Sequence, residues 1–338
     1  MDDVTTTLRV FRLVDSQAVV LGGPAATAGK GWERRAGGAD RLTVEGALPT
    51  FAAPAALLRP PAMTPASARP LSLAALTVIE LSPPDMVSCA ADAGYSHVGL
   101  RLLPATAEEP VYPVLGDTPM VREVARRLAA TGVHVHDIEI LRLKPTTRAG
   151  DYREALETGA RLGARAALVA GNDDDESRLV ANFAALAELA QTLHLTLALE
   201  PMPWTDVRDV ATGLRVVERS GARNAGLVID AIHVDRAGTT PADLALLPPS
   251  RIVYAQLCDA PAERPRDTQM LLHQARAERL MPGDGGLDLV GMLRALPAQV
   301  AVSVEVPMRT LSRTLDARER ARRLREKTLR TLEAAASL

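Results

Sequence analysis

The sequence predicts a (β/α)8 TIM barrel preceded by a flexible N-terminal extension. Two observations carry this. Eight short apolar segments alternate with amphipathic ones from Leu71 onward, the pattern of a parallel sheet covered by helices. The span from 71 to 338 also matches the roughly 250 residues such a barrel needs. An open doubly wound sheet is the structural competitor, but it would usually carry a Gly-rich phosphate turn after its first strand, and "IELSPPDM" has none.

The elements follow in order. Residues 1–70 form the extension. "LRVFRLVDSQAVVL" can pair as a short hairpin, while "PAATAGKGWERRAGGAD" and "PAALLRPPAMTPASARP" lack helical or strand periodicity. The barrel domain, 71–338, opens with the strand "SLAALTVIELS" and the helix "PPDMVSCAADAG", closed by Gly94. Strand "HVGLRL", helix "PMVREVARRLAATG", strand "HVHDIEILRL" and helix "DYREALETGARLG" come next. The alternation continues through "RAALVAG", "LVANFAALAELAQTL", "LTLALEPMP" and "VRDVATGLRVVERSG". It ends with "AGLVIDAIH", "PADLALLPPS", "RIVYAQLCDAP", "DLVGMLRALP", "VAVSVEVP" and a charged closing helix from Asp316.

Composition narrows the function classes. With 47% hydrophobic but only 3% aromatic residues, Ala, Leu and Val must build the core. A net charge of −2 gives no global reason to expect nucleic acid or an anionic membrane as partner. Two cysteines do not make a disulfide framework, no apolar run is long enough to span a bilayer, and "MDDVTTTLRV" is acidic where a signal peptide would be basic. A cytoplasmic protein is the expectation.

In a barrel the chemistry sits at the C-terminal ends of the strands. Strand five ends at Glu200, strand six at Asp230, strand seven carries Gln256 and Asp259, and strand eight ends at Glu305. One such acid alone reads as a local cap or salt bridge. Several on successive strands, buried near one another, would be very costly without a cation. A divalent ion removes that conflict, and an all-oxygen set suits Mg²⁺ or Mn²⁺ better than Zn²⁺. Glu139 on strand three and Arg101 on strand two lie where their side chains face either the pocket or their neighbours. Trp204, just past Glu200, reads as an apolar wall or lid, or as loop packing. His134 and His136 share the strand face opposite Glu139 and are expected toward helices or an edge. Gly283, Gly285 and Gly286 serve a turn at the mouth and are not a phosphate cradle, since no Lys-Ser/Thr follows.

The segments "LEPMPW", "GLVIDAIHVDRAG", "AQLCDAP", "ERLMPGDGGLDL" and "VSVEVP" resemble those of the xylose isomerase-like TIM barrels, the sugar phosphate isomerases and epimerases. The resemblance covers the barrel but not the extension. It implies one divalent metal held by Glu200, Asp230, Gln256 and Glu305, with Gln256 where many epimerases have His and where dehydroshikimate dehydratases have Gln. It also implies that Glu200 and Glu305 are the two acid–base residues, and that His233 and Arg279 touch substrate; the alternatives for these last two are a solvated loop histidine and an exposed loop charge. The implied reaction is isomerisation or epimerisation of a sugar or cyclitol through a metal-stabilised enediolate. A dehydratase acting on dehydroshikimate or a keto-inositol, and a 3-keto-glycoside eliminase, would use the same intermediate. No phosphate loop is legible after strands seven and eight, so a phosphorylated substrate is not expected. AP endonucleases share the barrel but need a histidine-rich zinc cluster, and of six histidines only His233 lies clearly at the rim. "RERARRLREK" is interleaved with Glu319 and Glu326 and reads as a solvated helix face. Related barrels often pair, which makes a homodimer the assembly to test.

Overall fold

The computed structural model describes residues 69–337 and, in the extension, the strands Arg12–Val14 and Gln17–Val19. Those two strands pair antiparallel, Arg12 opposite Val19, as the hairpin reading expects. The flexible character expected for the rest of residues 1–70 lies outside the described residues.

Eight parallel strands close a barrel in chain order: β1 (Leu71–Leu73), β2 (His97–Arg101), β3 (His134–Leu143), β4 (Ala166–Gly171), β5 (Thr196–Glu200), β6 (Ala225–Asp230), β7 (Ile252–Leu257) and β8 (Ala301–Val304). β8 pairs with both β7 and β1. Around it lie α1 (Pro83–Asp92), α2 (Pro119–Thr131), α3 (Arg153–Arg161), α4 (Glu176–Thr192), α5 (Val210–Arg219), α6 (Ala231–Arg236), α7 (Pro241–Ala245), α8 (Thr268–Ala277), α9 (Leu289–Ala295) and α10 (Ala317–Ala336).

Local chemistry sets the boundaries. α2 begins with Pro119 after Thr118, whose hydroxyl accepts the Val121 N–H at 3.2 Å, and stops at Gly132 with φ 73°. Asp209 and Asp316 likewise cap α5 and α10.

Alternation along the strands splits the core in two. Inside the barrel, Ile140, Ala166, Leu168, Ala170, Ala198, Met202 and Val228 pack around Tyr254. The small alanines leave room for that one large ring. The intervening residues, such as Ala167, Val169, Leu197 and Leu199, face the helices in a second cluster.

Three details differ from the sequence reading. The first strand is shorter than "SLAALTVIELS", because the Thr77 hydroxyl donates to Val304 O and accepts from Val306 N, pulling the chain into a 3-10 turn against the end of β8. α8 goes unread in the sequence, although Asp267 caps it by accepting the Met270 N–H at 2.8 Å. The pairing of β3 slips between Val98 and Leu100 of β2, so strict alternation fails there. His134 is exposed at the start of β3, whereas His136, expected toward helices or an edge, packs edge-on against Tyr254 of the interior cluster, centroids 4.8 Å apart.

Candidate active site

Strand geometry delivers the acids. Leu199 faces the helices, so Glu200, one residue on, lies on the interior side at the top of β5. Asp230 ends β6 and caps α6: its Oδ1 accepts the Ile232 N–H at 2.9 Å and the His233 N–H at 3.4 Å. That single helical turn swings His233 back over the barrel. His233 Nε2 then stands 3.6 Å from Glu200 Oε1 and 3.9 Å from Asp230 Oδ2.

Glu305 follows β8, and its carboxylate is joined to Asp230 through Arg279. The guanidinium donates to Asp230 Oδ2 at 2.7 Å and reaches Glu305 Oε2 at 2.9 Å. Its Nε is fixed by Ala275 O at 2.7 Å. The resemblance directs Arg279 at substrate oxygens; here it is 3% exposed and its charge is committed to two carboxylates. Gln256, paired in register with Asp230, is fully buried, and neither its Oε1 nor its Nε2 has a hydrogen-bond partner among the described residues.

A cavity of about 490 Å³ opens above this cluster, lined by Arg101, Glu139, Glu200, Trp204, His233, Arg279 and Glu305 among others. Seven of the nine expected site residues therefore share one wall, while Asp230 and Gln256 are buried beside it. Arg101 pairs with Glu139 at 2.9 Å, its register partner on β3, and with Glu109 at 3.4 Å. Trp204 meets the His233 ring edge-on at 4.9 Å.

Crowded negative charge marks the electrostatics. Burial, then the neighbouring Glu305 and Asp230, push Glu200 well above the usual carboxylate range. Burial raises Glu305 to about 7 although Arg279 opposes it. Burial also acts to raise Asp230, but Arg279 holds it below its ordinary value. Burial lowers His233 to about 4, so its ring is neutral near pH 7. Glu139 is lifted to about 7 by burial against the pull of Arg101.

These residues fit a divalent cation. Ligand atoms of Glu200, Asp230 and His233 lie within 4.8 Å of one another, and the unpartnered Oε1 of buried Gln256 is a further oxygen able to face a cation. Asp259 does something else. Its carboxylate accepts the N–H groups of Gly283, Gly285, Leu287 and Ala260 at 2.8 to 3.1 Å, clamping the glycine loop. A Cβ on Gly285 would lie 2.3 Å from that carboxylate, which accounts for the glycine. Sequence reasoning missed Glu109, Arg142 and Arg276, all on the cavity wall. Arg142 was legible at the end of "EILRL", whereas Arg276 lies on the unread α8.

Comparison with known proteins agrees with this architecture. Residues 87–327 match the family described as xylose isomerase-like TIM barrel. The chain belongs to that family. Among proteins similar to this xylose isomerase-like barrel is a 3-dehydroshikimate dehydratase of Pseudomonas aeruginosa, 32% identical over 114 residues, 33% of this chain and 17% of that one. Among solved structures, a xylose isomerase-like TIM barrel/4-hydroxyphenylpyruvate dioxygenase fusion protein superposes with TM-score 0.67 at 20% identity, covering 80% of this chain and 43% of that chain. An IolI protein with a bound zinc atom superposes with TM-score 0.65 at 18% identity, covering 79% and 99%. This chain thus spans less than half of the fusion protein, and its match to the dehydratase is a small part of that enzyme. Among the described residues no helix is long and apolar enough to cross a membrane.

Proposed function

We propose that the protein is a divalent-metal-dependent isomerase or epimerase of a small sugar or cyclitol, working at the cavity above Glu200, Asp230, Gln256 and Glu305. The observation that carries this reading is the convergence of buried ligand groups: Glu200, Asp230 and His233 present ligand atoms within 4.8 Å, and Glu305 is tied to Asp230 through Arg279. Glu200, Asp230, Gln256 and Glu305 would hold the ion, with His233 beside them. When bound, Mg²⁺ or Mn²⁺ would polarise a substrate carbonyl and stabilise the charge that develops as the adjacent proton leaves. The zinc atom bound by the structurally similar IolI protein supports a divalent ion.

The chain's own residues supply the proton chemistry. Glu200 and Glu305 come from β5 and β8, with β6 and β7 between them, and approach the cavity from different sectors of the rim. One takes the proton beside the carbonyl, and the other returns it to the opposite face or to the neighbouring carbon. Arg101, Glu139 and Trp204 line the rest of the pocket and position the hydroxyls. A small-molecule substrate, a cytoplasmic location and a homodimer complete the proposal.

A second reading is a dehydratase, in which loss of the same proton expels a β-hydroxyl. Gln256 at the third ligand position and the likeness to the Pseudomonas dehydratase favour it. Proton NMR in D₂O with Mg²⁺ separates the two on a panel of free ketoses, a keto-inositol and 3-dehydroshikimate. Deuterium entering next to the carbonyl with a new isomer supports the isomerase; growing olefinic or aromatic signals support the dehydratase. Asp230→Ala should abolish stoichiometric divalent-metal binding, and full occupancy in that variant would remove the metal site. Glu305→Gln should lose turnover with metal supplied.

A further inference from the structure

Most buried arginines of the cavity wall are paired with acids: Arg101 with Glu139 at 2.9 Å, Arg279 with Asp230 at 2.7 Å, and Arg320 with Glu80. Arg142 and Arg276 are different. Both are partly buried on the same wall, and among the described residues neither has a carboxylate within ion-pair distance. Arg142 Nη1 donates to Asn172 Oδ1 at 3.2 Å, a neutral acceptor, and its Nε is buried with no partner among the described residues. Arg276 lies 5.5 Å over the face of Trp204, whose own Nε1 is also buried and unpartnered among them. Burial, and then the nearby charge of Arg276, lower Arg142 below its ordinary value. Two half-buried like charges that no carboxylate contacts, with Glu109 and Glu200 acting only from farther off, are costly, and a bound anion reduces the cost.

We propose that Arg142 and Arg276 form a carboxylate-binding subsite, so that the substrate is a polyhydroxylated carbonyl compound bearing a carboxylate at the end remote from the reacting carbon. This rests on the reading of the cavity as the substrate site. Two guanidinium forks match the planar, two-oxygen geometry of a carboxylate. Trp204 packs with both Arg276, 5.5 Å over its ring, and His233, edge-on at 4.9 Å, so the subsite adjoins the acid cluster through that indole. A six- or seven-carbon hydroxy acid is small enough for the cavity of about 490 Å³ that both groups line. Phosphate is the other anion to weigh, and it is disfavoured. The glycine-loop N–H groups of Gly283, Gly285 and Gly286, which would cradle it, are taken by Asp259 and by Ala260 O.

Calorimetric titration of the full chain with D-fructuronate, D-fructose and D-fructose 6-phosphate tests the subsite independently of turnover. D-fructuronate should bind at least tenfold more tightly than D-fructose, and Arg142→Gln or Arg276→Gln should each erase most of that advantage. Equal affinity for the acid and the neutral ketose, an advantage that survives both variants, or no binding by any of the three overturns the subsite. Tightest binding by the phosphate overturns the choice of carboxylate. Deuterium exchange on the same ligands is followed in parallel. Carboxylate discrimination without exchange would defeat the proposed reaction and leave the subsite standing, whereas exchange without discrimination would do the reverse.

Discussion

Arg279 offers the sharpest test of the charge balance at the site. Arg279→Met keeps most of the side-chain volume but removes the cation between Asp230 and Glu305, contacts of 2.7 and 2.9 Å in which every partner is almost fully buried. Breaking a buried ion pair by deleting one partner costs about 3–5 kcal/mol, because the survivor is left uncompensated. Two carboxylates are stranded here, so the loss should fall at the upper end of that range, a large share of the 5–15 kcal/mol typical of a folded protein. The cost should also grow with pH. A carboxylate whose folded pKa lies above its unfolded value favours the folded state only when protonated, so stability falls as pH rises through that value. Urea unfolding in EDTA, at pH 5.5 and 8, measures both. Adding Glu305→Gln to the variant should recover part of the loss, since one stranded charge disappears. A loss under about 1 kcal/mol at both pH values would refute the view that Arg279 neutralises the two acids.

Other outcomes follow from the same structure. His136 is pressed to about 3 by burial against Tyr254, and His97 to about 4, so both fold as neutral rings. Their contribution is present above the ordinary histidine value near 6.5 and is lost as pH falls. From His136 alone this amounts to about 2 kcal/mol at pH 5. His136→Phe should flatten the stability profile between pH 7 and 5, and an unchanged slope would exclude this histidine as its source. Gly226→Ala places a Cβ 2.6 Å from the Arg251 carbonyl oxygen, a backbone atom with little freedom to retreat. It should cost about 1–3 kcal/mol in chemical denaturation. Asp259→Ala unclamps the glycine loop, and amide exchange at Gly283, Gly285 and Leu287 should rise well above that of the β7 core; unchanged protection would show that the loop holds without it.

The sequence by itself determined the barrel and the residues at its rim. Alternation of apolar strands with capped helices is a local signal, and a parallel barrel sends the strand ends to one face, so Glu200, Asp230 and Glu305 were legible as a group before any coordinates. Gln256 was legible too, as the polar residue inside an apolar β7. The tertiary structure decided how those residues are partnered, because partners come from distant elements. That Arg279 neutralises Asp230 and Glu305, that a single turn of α6 carries His233 back to Glu200, and that Asp259 leaves the rim group to hold a glycine loop all depend on loops whose paths no periodicity encodes. The β3 slip has the same origin: His136 reached the interior because strand pairing, not the alternation of its own segment, fixed the direction of its side chain.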